Sequence, residues 1–532
     1  MSISPGQSGA KTGCDPAQKS ENPRHGEPAG ILTSGAPALC APRMGCSDSS
    51  DPTARVVTSR RFRPLRARST IFRRWARDAG EQLGQLGDGA GVERIFLVGE
   101  RPGQTIAGVR EWATAELPAG WSHSERGHYM EGDSPVLRYQ HESGATVELH
   151  RSASWFGDST DVDRCREAWV LLGHLMRRAF GLPALLATPT TTGREAWLRT
   201  IPEGREWLVL PSEVQELIRS TSGQGRIELV AEPGAELPAL VEMDARWAYS
   251  ALCRQLAGVA ADEGATWELV AGAPFDPYAR ARWHVRGEVP RDWSHVGILP
   301  VKDESGGWRW PRRPGERFDT WADGAELLVA QRHGWHFSVV EALTFPTYRG
   351  AGPLDQWSKK LRELRETARN LAAVGARDEG VVELVGHAIR AMLLHAIGGF
   401  HGTPHRVTRA VPIDEPEKVP AGVHFRLEGS VLAWAEVRPP AWPEMVHPEW
   451  SAAIWARARA RLVDAPDGAG ALHVPFSEVV GFRTDAVYLT APASWPDDGK
   501  AGRYRVKSHV LGPLRAPANQ LELLALRDGG EG

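Results

Sequence analysis

The stretch LDQWSKKLRELRETARNLAAVG, residues 354–375, constrains the chain more than any other. Trp357, Leu361, Leu364, Ala368 and Leu371 recur at helical spacing and make one apolar stripe. Lys359, Arg362, Arg365 and Arg369 lie off that stripe. After the short loop GARDEG comes a second periodic run, VVELVGHAIRAMLLHAIGG. Two helices joined so tightly can only run antiparallel, as a hairpin. On the residues alone, its arginines read as a solvated face with Glu363 and Glu366 as partners.

The hairpin interrupts a mixed pattern. VERIFLVG and ATVELHR are strand-like, and DVDRCREAWVLLGHLMRRAFG is helical by periodicity. Residues 420–532 return to strands around one helix, HPEWSAAIWARARARLVDA. The fold class expected is α/β or α+β.

Two acids stand out on either side of the hairpin. In LVEMDARWAYSALCRQL an apolar strand ends at Asp244, with Tyr249 one turn into the following helix. In GFRTDAVYLT two apolar strands meet at a bend that carries Arg483 and Asp485. Carboxylates at strand ends that converge on one point are what a two-metal site needs, because hard Mg²⁺ takes oxygen ligands. Either acid alone is equally a helix cap or a surface turn.

The order strand–Asp–x₄–Tyr, basic helical hairpin, strand–turn–Asp–strand resembles the family B DNA polymerases, nearest their protein-primed, plasmid-and-phage branch. The family's D-x-x-S-L-Y-P stands here as Asp244-Ala-Arg-Trp-Ala-Tyr249-Ser, and its D-T-D-S as Arg483-Thr484-Asp485-Ala486. Its K-x₃-N-S-x-Y-G stands as Arg390 through Leu394 and Ile397 to Gly398. SGQGRIEL, with Gly223, Gly225 and Arg226, looks like the element before the first palm motif. GRYRVKSHVLGP, with Lys507, resembles the strands after the second. The likeness covers roughly residues 190–510.

The resemblance implies a right-hand polymerase palm and fingers, an N-terminal RNase H-like exonuclease remnant and a reduced thumb. The domains would be a disordered tail (1–55), a basic linker or helix (56–90), a degenerate exonuclease-like domain (91–190) and a first palm part (191–354). The fingers hairpin (355–400), a second palm part (401–500) and residual thumb strands (501–532) would follow. It implies Asp244 and Asp485 as catalytic ligands of two Mg²⁺ or Mn²⁺ ions. Tyr249, Arg390, Arg362, Arg365, Arg369, Leu394 and Ile397 would meet the nucleotide. Gly223, Gly225, Arg226, Thr484, Arg483 and Lys507 would meet DNA. The function implied is template-directed addition of deoxynucleotides to a primer 3′-hydroxyl without proofreading, since no D-x-E appears in IFLVGERPG or VELHRSASWFG. The alternative is an inactive, DNA-binding replication accessory, favoured by Arg483, Leu394 and Ile397 where the family has Asp, Asn and Tyr. Primer-template DNA and dNTPs are the partners implied, with a terminal protein or another replication protein beside them.

Composition sets outer bounds. With formal charge −3, any nucleic-acid surface has to be a local concentration of Lys and Arg. The arm at 58–80, rich in Arg with Phe62, Phe72 and Trp75 interleaved, is either a phosphate grip or a linker entering a helix. Asp158, Asp161 and Asp163 read as helix caps. Cys14, Cys40, Cys46, Cys165 and Cys253 show neither CxxC nor zinc spacing. No apolar run reaches the ~20 residues of a membrane span, so a cytoplasmic location is expected.

Overall fold

The computed structural model describes residues 68–529 apart from 90, 100–111, 114, 124–136, 429–430, 439 and 441, together with the backbone of 56–58. The expected disordered tail and Arg60, Arg61, Arg63 and Arg66 of the basic arm lie outside the described residues.

The rest of that arm is not a linker. Thr70–Arg74 (β1) joins Arg94–Val98 (β2), Trp121–His123 (β3), Leu137–His141 (β4) and Thr146–Arg151 (β5) in one sheet, in the order β1-β2-β5-β4-β3. β1, β2 and β5 are parallel, and β3 to β5 form an antiparallel meander. The aromatic interleaving has a packing cause: Phe72 stacks on Phe96 at 5.2 Å and meets Trp169 edge-on at 5.9 Å. Two of the arm's arginines are used internally. Arg73 donates to Gln85 at 2.9 Å, and Arg68 pairs with Glu148 at 2.7 Å. Glu148 is also 2.9 Å from Arg138 and 3.4 Å from His150. Burial alone would raise its carboxyl, but the His150 hydrogen bond and these charges hold it down at about 2.

Val162–Phe180 (α1) and Pro189–Leu198 (α2) follow. Asp161 caps α1 by accepting from the backbone of Asp163 and Arg164, the capping role its position suggested. Next come Arg226–Leu229 (β6), Glu236–Ala245 (β7) and the short helix Ala248–Leu252 (α3). Glu268–Ala271 (β8), Ala281–Glu288 (β9), Arg317–Asp323 (β10) and His336–Thr344 (β11) build an antiparallel sheet in the order β8-β11-β9-β10.

The helical hairpin forms where the periodicity placed it, as Asp355–Ala373 (α4) and Glu379–His401 (α5). By length and composition α5 could cross a membrane, which the sequence reading did not anticipate. Here its apolar side chains, Val381, Val385, Ile389, Met392 and Phe400 among them, are buried in the protein core. Gly193 of α2 allows the close approach, since a Cβ there would sit 2.8 Å from the Met392 carbonyl.

His405–Pro412 (β12), Phe425–Glu428 (β13) and Val431–Arg438 (β14) form a small sheet, β12-β14-β13. Pro448–Val463 (α6), Val479–Thr484 (β15), Ala486–Leu489 (β16), Tyr504–Arg515 (β17) and Gln520–Arg527 (α7) complete the chain. The central sheet runs β17-β7-β16-β15-β6 and is antiparallel throughout. It brings β7 beside β16, although the whole hairpin separates them in sequence.

Candidate active site

β15 and β16 pair with Arg483 opposite Ala486, which leaves Thr484 and Asp485 as a two-residue turn. Thr484 takes φ 56°, a left-handed conformation rare for a β-branched residue. Its hydroxyl donates to Asp485 Oδ1 at 3.0 Å, so the turn fixes the carboxylate. Gly225 is what lets the preceding loop reach this tip, since a Cβ there would lie 3.1 Å from the Thr484 Cα.

β16 then sets Ala486 opposite Asp244, and the Ala245 amide donates to the Asp485 carbonyl at 3.3 Å. The turn that carries Asp485 thus lies beside the end of β7 that carries Asp244. Both are buried, Asp244 at 4 % and Asp485 at 8 % exposure. Burial and then the Asp485 charge push the Asp244 carboxyl up to about 6, against the pull of Lys507 and Arg390. Lys507 Nζ lies 2.8 Å from Glu242 Oε1 and 3.9 Å from Asp244 Oδ1. Arg390 Nη2 is 3.7 Å from Asp485 Oδ2. Tyr249 is buried nearby, and burial together with the Asp485 charge raises its phenol, which stays protonated.

Asp244 opens onto a cleft of about 1310 Å³, whereas Asp485 and Tyr249 do not line it. Asp244, Arg362, Arg365, Arg369 and Arg390 all line it. Burial, then the charges of Arg369, Arg505 and Arg390, bring the Arg365 guanidinium down to about 10. Glu366, Glu379 and Glu383 line the cleft beside these cations. Sequence reasoning missed Trp247, Arg254, Lys500 and Arg505, which line the same cleft. Trp247 lay inside the quoted motif, and Arg505 alternates with buried Tyr504 on β17, so both had a signal to follow. Arg365 sits 4.4 Å over the Trp247 ring and ties the hairpin to the sheet side.

Other expected residues fall elsewhere. Arg226 is fully buried, 4.0 Å over Phe482 and 4.9 Å over Trp310, with its Nε 2.8 Å from Glu228. It cannot touch DNA as expected; it is a packing cation, because the strand that carries it turns it inward. Gly223 has φ 62° and backs onto Trp308. Ile397 is 1 % exposed in the core, and its carbonyl accepts from Ser451 at 2.6 Å. Leu394 is half-buried against the same core. Neither lines the cleft, whose lining on α5 ends at Arg390. The charge of Arg483 acts on Tyr488 and Asp528, while the cations acting most on Asp244 are Lys507 and Arg390.

The donor set suits a hard divalent cation. Two buried carboxylates repel one another and offer only oxygen. Among the described residues no group of three or more acidic, His or Cys side chains is placed to hold a metal. Mg²⁺ commonly takes one or two carboxylates and completes its shell with water and substrate phosphates.

No family model and no curated protein matches the chain. The mixed α/β fold is similar to that of Phi29 DNA polymerase, whose orthorhombic crystal form is 15 % identical with TM-score 0.50, covering 82 % of this chain and 78 % of that one. The post-translocation complex with primer-template DNA is 14 % identical with TM-score 0.49, covering 81 % and 78 %. The ternary complex with primer-template DNA and incoming nucleotide is 15 % identical with TM-score 0.46, covering 71 % and 67 %.

Proposed function

We propose that the chain is a template-directed DNA polymerase acting without proofreading. One observation carries this: Asp244 lines a cleft walled by arginines of the helical hairpin, and the turn that carries Asp485 lies beside it in the central sheet. In this reading the central sheet is the palm, α4 and α5 the fingers, and the N-terminal sheet the exonuclease remnant. Glu148 of that remnant is tied up by Arg68, Arg138 and His150 rather than open to a metal.

Asp244 and Asp485 would hold the divalent ions, Mg²⁺ or Mn²⁺, which supply charge neutralisation and activation of the attacking oxygen. The primer 3′-oxygen forms a bond to the α-phosphorus as the α–β bridging bond breaks. The bonding pair leaves with diphosphate, and the hydroxyl proton passes to water. Arg390 exchanges Asp485 for the triphosphate, and Arg365 and Arg369 take the remaining phosphate charge. Tyr249, buried and protonated, would pack beneath the sugar in this reading. Primer-template DNA and dNTPs are the substrates in this reading, a terminal protein or other replication protein is a partner, and the setting is cytoplasmic.

The test is primer extension with Mg²⁺ or Mn²⁺. Wild type extends; Asp244→Ala and Asp485→Ala do not. If wild type extends nothing with either metal yet binds DNA in a salt-sensitive way, the inactive accessory reading replaces this one. The Arg390–Asp485 pair is the contact that favours that second reading.

A further inference from the structure

Beside the main cleft lies a second space of about 200 Å³, between α3 and the first turns of α4. Arg254 and Arg362 line both, so these two residues are the wall the spaces share. Neither arginine makes an ion pair among the described residues. Lys359 adds a third cation; its contact with Glu363, at 3.8 Å, joins two side chains that are each more than half exposed. An ion pair that exposed holds its members weakly.

One acid, Asp355, also lines this space, and backbone amides hold its carboxylate in place. Its Oδ1 accepts from the Gln255 amide and its Oδ2 from the Gly352 amide, each at 2.9 Å. Those bonds help hold a strained turn, since Gln255 has φ 51°. Arg457 holds it from the other side, donating to the carbonyls of Leu252 at 3.1 Å, of Gln255 at 3.2 Å and of Arg254. Strain of this kind persists only where its surroundings over-determine it. Its effect is to fix the backbone that presents Arg254 to the shared wall. Gln356, exposed on the same wall, supplies a neutral hydrogen-bonding group beside the cations, while the hydroxyls of Ser250 and Ser358 donate to the carbonyls of Trp247 and Asp355.

We propose that this space is a polyphosphate subsite. At about 30 Å³ per water it has the volume of roughly six or seven waters, which is room for a diphosphate. Resting on the polymerase reading, its occupant is the diphosphate product leaving the main cleft or the triphosphate tail of a nucleotide entering it. Both present the same chemistry to Arg254, Arg362 and Lys359.

Inorganic pyrophosphate titrated into the full chain by calorimetry tests the site without turnover, and Lys359, which lines this space and not the main cleft, separates the two. Lys359→Ala weakens binding roughly fivefold, and the double variant Arg254→Ala/Lys359→Ala weakens it further, while the remote Lys418→Ala changes nothing. In primer extension, weaker inhibition of Lys359→Ala by pyrophosphate supports the exit role, and a raised dNTP KM supports the entry role. Pyrophosphate affinity unchanged in both variants overturns the proposal, as does an equal loss in Lys418→Ala. If wild type extends no primer, the polymerase reading fails while the calorimetric result still decides the subsite.

Discussion

Asp244→Asn is expected to stabilise the protein, and to do so only above mildly acid pH. The Asp244 carboxyl is raised from 3.8 to about 6, first by burial and then by Asp485. For a carboxyl raised in the folded state, the sign is opposite to the usual one. Its stabilising contribution is complete below the unfolded value and is lost as pH rises through about 6. At about 1.4 kcal/mol per pH unit, the loss approaches 3 kcal/mol by pH 8. Asn carries no charge and avoids it. Lys507 keeps Glu242 as a partner at 2.8 Å, so the substitution does not strand a buried cation. Urea unfolding of both proteins at pH 8 and pH 4 reads the difference. The variant gains about 3 kcal/mol at pH 8 and only about 0.5 kcal/mol at pH 4. A gain independent of pH, or a loss at pH 8, would refute the argument that this pair stores electrostatic strain for ligand binding. Millimolar Mg²⁺ provides the complement: it raises the unfolding midpoint of wild type and not of Asp244→Asn, because only the native carboxylate pair binds it.

Three further outcomes follow from other parts of the structure. Arg390→Ala raises the dNTP KM about 10- to 100-fold, the scale of removing one hydrogen bond to a charged group, and Arg390→Lys recovers part of it in steady-state kinetics. Arg226→Ala lowers stability by about 3–5 kcal/mol, because it leaves Glu228 facing an emptied, buried site; thermal unfolding shows it, and an unaltered midpoint contradicts the packing role. Replacing Arg362, Arg365 and Arg369 together by Gln flattens the slope of log DNA affinity against log salt by roughly one for each phosphate that the protein no longer neutralises. An unaltered slope would remove the hairpin from the DNA and nucleotide surface.

The helical hairpin was legible because an apolar stripe at 357, 361, 364, 368 and 371 admits one secondary structure and one buried side. The apolar strands ending at Asp244 and bending at Asp485 were legible for the same local reason. Local pattern failed where orientation decided. Arg226 alternates on a strand in a way that fits either face, and only the aromatic pocket of Phe482 and Trp310 shows that it points inward. Arg390, Leu394 and Ile397 share one helical face by spacing, yet the cleft ends at Arg390 because α6 covers Ile397. The β1 strand was hidden among arginines, since its parallel partner lies across a long connection.

By itself, then, the sequence determined which segments are helices and strands and where acids and arginines sit along them, because those follow from interactions between near neighbours. Only the tertiary structure decided that β7 and β16 lie side by side and that the hairpin arginines crowd the space above them. Strand order and helix docking are set by burial between segments distant in the chain, and no local periodicity encodes that.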